Sequence, residues 1–127
     1  MPFKRLSEEH FYVMALDINL GMKANKMLAQ GNVSSVNLNI QSIVDFALMH
    51  KASYIVAAHN HPGGVVTPSA EDHETTQTIR WALQVVNIAL LDHIIVAGDE
   101  HHSMSKNRVY GLTGIPDNSK PKTSKKK

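Results

Sequence analysis

The run YIVAAH, residues 54–59, limits the fold more than any other stretch of this chain. It is almost continuously apolar, with no polar residue at alternate positions. A strand with one wet face alternates; a continuous one has to be covered on both faces. Pro62 has no N–H to give to a ladder, so the strand must end by that point. Gly63 and Gly64 open a loop that runs to Pro68. Ser69-Ala-Glu-Asp72 then has the form of a capping box, Ser at the N-cap and a carboxylate three residues on. The helix it starts carries Ile79, Ala82, Leu83 and Val86 at helical spacing and is expected to end near Asn87. LLDHIIVAG, residues 90–98, is a further strand.

The flanking segments extend this pattern. FYVMALD, residues 11–17, reads as a strand. Asn19 and Gly21 supply a turn, and MKANKMLAQG returns as a second strand ending at Gly31. Ile40, Ile43, Val44, Ala47 and Leu48 follow the i, i+3, i+4, i+7 rule of a one-sided helix, with Asn39 as its N-cap. Residues 103–111 supply a short edge piece. The expected order is β-β-(β)-α-β-α-β-(β), the parenthesised strands being optional. Helices interleaved with a mixed sheet place the chain in the α/β class, as one domain over residues 1–115.

Composition narrows the functional classes. The chain has 127 residues and no cysteine, so disulfides and thiolate metal sites are excluded, and nothing points to an oxidising compartment. A metal would need imidazole and carboxylate ligands, and eight histidines make that feasible. Residues 1–115 hold eight Lys and Arg against ten Asp and Glu, about −2; residues 116–127 hold five Lys against Asp117, about +4. The segment PDNSKPKTSKKK is expected to be a disordered Lys-rich tail able to make weak phosphate contacts with nucleic acid. No run reaches the roughly 18 apolar residues that a bilayer span needs. MPFKRLSEEH has no apolar core of a secretory leader. A cytoplasmic protein without membrane contact is therefore expected.

The chemistry centres on His59 and His61. On a strand, residues i and i+2 share a face, so two imidazoles project together from the strand's C-terminal end. Asn60 points the other way, toward backbone or supporting partners. Asp72, in the first turn of the next helix, can return a carboxylate over that strand end. Two His and one carboxylate with a fourth position open is the ligand pattern of catalytic zinc, and a water bound there loses a proton near neutral pH. A base is still required, and Glu8 and Glu9 are both candidates. Ser69 can accept from the helix backbone as N-cap and still donate its own proton to an oxyanion. Asp92-His93 reads as a structural strand pair or a support behind a ligand. His101-His102, beside Asp99 and Glu100, reads as a solvated turn rather than a surface metal cluster. Trp81 reads as a partly buried packing residue of the second helix.

These residues resemble a known family. His59-x-His61-Pro62, six residues, then Ser69-x-x-Asp72 matches the JAMM signature of MPN-type zinc metalloproteins. "AAHNHPGGVVTPSAED" followed by "LLDHIIVAG" resembles the RadC-like branch, where HNHPSG, a TPS-x-x-D loop and an LDHIIVG strand recur. The likeness runs from about Glu8 to Leu112. It implies the MPN (JAB/cytidine-deaminase-like) three-layer fold, a curved mixed sheet flanked by helices. It implies Zn2+ held by His59, His61 and Asp72, with Ser69 orienting water or an oxyanion. The family's glutamate two residues before a first-strand phenylalanine falls on Glu9, in "EEHFYVMALD", which makes Glu9 the implied general base. Two positions depart from the family: Ile40-Gln41 stands where Pro-Arg is usual before the first helix, and Gly63 replaces serine.

The reading that follows is a zinc-dependent metallopeptidase or isopeptidase acting on a peptide or isopeptide-linked protein. The alternative is a non-catalytic or DNA-repair-associated binding module on the same fold, its Lys-rich tail touching phosphates. The first strand and the last edge piece leave room for pairing with another chain, so a homodimer is one expected assembly. An HNH nuclease is disfavoured, because its named residues are spread over a hairpin and a helix. A cytidine deaminase is excluded by the missing Cys-x-x-Cys.

Overall fold

The apolar run 54–59 forms the buried strand its composition demands, and the fold is organised around it. The computed structural model describes residues 8–31 and 38–111. Its elements are β1 (Glu9–Leu16), β2 (Met22–Gly31), α1 (Ile40–Met49), β3 (Tyr54–Asn60), α2 (Ala70–Val85), β4 (Ala89–Ala97), β5 (Glu100–Ser103) and β6 (Arg108–Tyr110). The sheet order is β2-β1-β3-β4-β5-β6. β3 and β4, joined through α2, are parallel; the other pairings are antiparallel. This mixed six-stranded sheet with two helices is an α/β fold consistent with the JAB/MPN type.

The main core lies between the helices and one face of the sheet. Phe11, Val13 and Ala15 of β1 and Ile55 and Ala57 of β3 meet Ile43, Phe46 and Ala47 of α1 and Ile79 and Leu83 of α2. Each large side chain among these contributes about 1.5–3 kcal/mol by leaving water. Among the described residues both helices lie on this face. Ala58 and Val96 occupy the opposite face with Tyr12, Met14 and Ile94.

Register decides what reaches the site. Phe11 of β1 stands opposite His59, so their side chains share the helix-covered face. Between β3 and β4 the register shifts after the pair Ile55 and Leu90, and Val56 next opposes Asp92. The extra residue, Leu91, is a bulge that resets the alternation. Leu90 and His93, three apart, consequently point to the same face, and His93 comes level with Ala57.

Three expectations change here. The edge piece over residues 103–111 is β5 and β6, and β5 begins at Glu100. Gly98 and Asp99 make the tight turn from Ala97 to Glu100, with Gly98 at φ +59°, a conformation that favours glycine. His101-His102 is therefore strand and not a solvated turn; His102 is 1% exposed because β5 has neighbours on both edges. Trp81 is 69% exposed, not partly buried. It lies two residues, about 200° of helix, from Ile79, opposite the core-facing stripe of α2. The optional strand between Gly31 and Asn39 falls mostly outside the described residues, as does the Lys-rich tail. No described helix is long and apolar enough to cross a membrane.

Candidate metal centre

His59 is 3% exposed near the end of β3, and His61 follows just past the strand. The His61 N–H bonds the Val96 carbonyl at 2.8 Å, so the chain leans on β4 as it leaves the sheet. His61 Nδ1 lies 2.7 Å from the Val65 carbonyl. A carbonyl only accepts, so this nitrogen carries a proton, and Nε2 is the atom left to meet Asp72 in the metal-free protein or to bind a metal. The turn that brings Val65 back passes through Gly64 at φ +89°, where a side chain would be strained.

Asp72 arrives by helix capping. The Ser69 side chain accepts from the Asp72 N–H at 3.0 Å, and Asp72 Oδ2 accepts from the Ser69 N–H at 2.8 Å. This reciprocal box starts α2 and aims the carboxylate at both imidazoles. His59 Nε2 is 3.1 Å from Asp72 Oδ1, His61 Nε2 is 3.0 Å from Asp72 Oδ2, and the two Nε2 atoms are 3.1 Å apart. Ligands about 2.0–2.1 Å from a tetrahedral zinc would stand about 3.3–3.4 Å from one another. An outward shift of about 0.3 Å per pair therefore admits the ion, and the donor set suits it. Among the described residues this is the one group of three such side chains with convergent ligand atoms.

Comparison with known proteins gives the family. The family model described as the RadC-like JAB domain matches residues 1–109. A UPF0758 protein of Janthinobacterium sp. (strain Marseille) is 35% identical over 99 residues, covering 78% of this chain and 44% of that protein. One from Bordetella petrii is 39% identical over 98 residues, covering 77% and 44%, and one from Psychrobacter sp. is 38% identical over 103, covering 81% and 46%. This chain belongs to the RadC-like JAB domain family. It spans under half the length of these curated relatives.

In this RadC-like JAB domain the three convergent side chains are compatible with a JAMM site and can hold a metal ion. Glu9, Ser69 and Glu71 share a cavity of about 450 Å3 with His61 and Asp72. Glu9 opens β1 on the parity of Phe11, whose ring stacks on His59 at 5.9 Å. Glu8, the other candidate base, accepts from the Gln30 side chain at 2.8 Å. Asn60 faces away from the imidazoles, as strand alternation requires. Its Oδ1 accepts from the His10 N–H at 2.6 Å, and its Nδ2 donates to the Glu8 carbonyl at 2.9 Å. The Asn60 side chain thus continues the β1–β3 ladder on both sides of Glu9, at the point where the β3 backbone turns toward β4. Glu71, a further carboxylate on the cavity wall, was not singled out from sequence; its place next to Asp72 in a capped first turn was the available signal.

The electrostatics follow from these contacts. Burial alone would push the Asp72 carboxyl up, but hydrogen bonds from His59 and His61 hold it well below the usual carboxylate range. Burial lowers His61, yet its bonds to Asp72 and Val65 and the charges of Asp72 and Glu9 outweigh that and raise it. His93, also on the helix face, is pushed down to about 3 by burial and by the charge of His59. His93 Nε2 lies 2.8 Å from His59 Nδ1, directly behind that ring, the second of the two readings of Asp92-His93. Asp92 turns away from the site and ties β4 to the β5–β6 turn through Ser103 and the Ser105 N–H.

Proposed function

We propose that this domain is a zinc-dependent hydrolase of amide or isopeptide bonds in a peptide or protein substrate. The convergence of His59, His61 and Asp72 beside a cavity that also holds Glu9 and Ser69 carries this reading. A zinc ion held by the three ligands supplies Lewis acidity toward a carbonyl oxygen and acidifies water. The chain's own residues do the rest. Glu9, placed by strand β1 and by the Asn60 amide, takes the proton of the attacking water and returns it to the leaving amine. The Ser69 oxygen is occupied by the Asp72 N–H, which leaves its own proton free to be donated to the developing oxyanion. Asp72 joins helix start and ligand set, so substrate binding at the cavity meets a rigid site.

The test has two stages. Zinc uptake by metal-free protein should be stoichiometric and should fail in His59→Ala and His61→Ala. Glu9→Gln should keep zinc and lose hydrolysis of a quenched-fluorescent peptide and isopeptide library, whereas Glu71→Gln should retain it. Full activity in Glu9→Gln would remove Glu9 as the base. Stoichiometric zinc without hydrolysis of any library member would favour the alternative, a binding module on the same scaffold.

A further inference from the structure

His93 has no task in the reaction just described, yet it is 1% exposed and sits directly behind His59. Thr76, one helical turn after Asp72, is also buried. Its hydroxyl donates to the Asp72 main-chain carbonyl at 2.7 Å, and its oxygen lies 2.6 Å from His93 Nδ1. A hydroxyl has one proton, and a carbonyl can only accept. The Met104 sulfur, at 3.6 Å, is the weaker acceptor for that proton; with the proton on the carbonyl, His93 Nδ1 brings its own. A neutral imidazole carries a single N–H, so His93 Nε2 offers a lone pair, and His59 Nδ1, at 2.8 Å, supplies the proton between them. The lone pair of His59 is then left on Nε2, the atom that faces His61 and Asp72.

We infer that Thr76 and His93 are positioning residues: a one-directional hydrogen-bond chain, Asp72 carbonyl to Thr76 to His93 to His59, sets the tautomer of His59 and keeps its Nε2 free to bind metal. This rests on the metal reading of the site. His61 needs no such chain, because the Val65 carbonyl dictates its tautomer directly. His59 does, because in the metal-free protein its Nε2 also lies 3.1 Å from Asp72 Oδ1, a contact that favours a proton on that nitrogen. The chain opposes the wrong tautomer. Without the Thr76 oxygen, His93 is freed to carry its proton on Nε2 and donate to His59 Nδ1. That forces the His59 proton onto the metal-facing atom. Phe11, edge-on to His93 at 5.6 Å and stacked on His59, leaves both rings little freedom to rotate out of line.

The experiment compares zinc affinity in wild-type protein, Thr76→Ser and Thr76→Val, with imidazole nitrogen chemical shifts recorded on the wild type. Thr76→Ser keeps the hydroxyl and should bind zinc within a few-fold of wild type. Thr76→Val keeps shape without the oxygen and should bind about 10–100-fold more weakly, the usual effect of removing a ligand's supporting hydrogen bond. In zinc-loaded wild type, His93 should show a protonated Nδ1 and an unprotonated Nε2. A folded Thr76→Val with wild-type affinity, a Thr76→Ser as weak as Thr76→Val, or a proton on His93 Nε2 would each overturn the chain. The shift measurement needs no variant to fold. Wild-type protein that takes up no zinc overturns the metal reading and the inference with it; normal uptake with any of the three results above overturns the inference alone.

Discussion

Ser69 serves two purposes that substitution can separate. Its oxygen accepts the Asp72 N–H at 3.0 Å as N-cap of α2, and its proton is proposed to reach an oxyanion. Ser69→Ala removes both. An N-cap Ser to Ala change costs about 0.5–2 kcal/mol. Ser69 is exposed, so water partly replaces the lost acceptor, and the return bond from the Ser69 N–H to Asp72 Oδ2 survives. The cost should therefore lie near 1 kcal/mol, about 4 °C in Tm for a domain of this size. Ser69→Gly restores most of the cap, since glycine at this position costs only a few tenths of a kcal/mol, but it has no hydroxyl. In thermal unfolding of the metal-free protein followed by circular dichroism, Ala should fall clearly below Gly, and Gly should lie near wild type. In hydrolysis by the zinc form, both should fall together, by about 100–1000-fold if the hydroxyl acts as an oxyanion donor. Hydrolysis by Ser69→Gly at the wild-type rate would remove the hydroxyl from the chemistry. An unchanged Tm in Ser69→Ala would show that the capping box contributes no stability.

Zinc at about 100 times its Kd should stabilise the domain by about 2.7 kcal/mol, roughly 10 °C in Tm, and the rise should vanish in His59→Ala; an equal rise in that variant would place the ion elsewhere. Metal-free protein should lose stability as pH falls from 6.5 toward 3, because the unfolded chain takes up a proton at His93 that the folded chain refuses. Asp72, whose carboxyl is held low, adds a further loss below its ordinary value of 3.8, whereas His61, raised on folding, costs stability in the opposite direction as pH rises above 6.5. A Tm flat between pH 6.5 and 4 would contradict the His93 part of this account. Asn60→Leu strands the Glu8 carbonyl and the His10 N–H, at about 1–3 kcal/mol each where water cannot reach them. Urea unfolding showing a loss under about 0.5 kcal/mol would mean that the ladder closes without the amide.

Much of this was legible in the chain because local rules dominate there. The turn at Asn19 and Gly21, the N-cap at Asn39, the stop at Pro62 and the box at Ser69 and Asp72 each depend on residues within a few positions of one another. The element limits at Met22, Ile40, Asn60 and Ala70 follow from them. His59 and His61 share a site because alternation along one strand is a local property. Trp81 faces outward although an aromatic ring suggests burial, because its angle from Ile79 turns it away from the core. The tight turn at Gly98 and Asp99 was a signal for β5 that the neighbouring charges masked.

By itself, the sequence determined both helices, the strands other than β5, and the pairing of two imidazoles with a carboxylate at a strand-to-helix junction. Only the tertiary structure decided what stands behind and beside them. The Leu91 bulge rotates His93 onto the face of His59, and no periodicity in LLDHIIVAG announces it, since a bulge is a property of two paired strands. Glu9 comes to the cavity because β1 pairs antiparallel with β3, and Asn60 braces it because β3 parts from β1 at that residue to follow β4. These contacts join residues some fifty positions apart or lie across strands. Their formation depends on register and curvature, which are settled by burying Phe11, Ile55 and Ile79 in one core and not by any short stretch of chain.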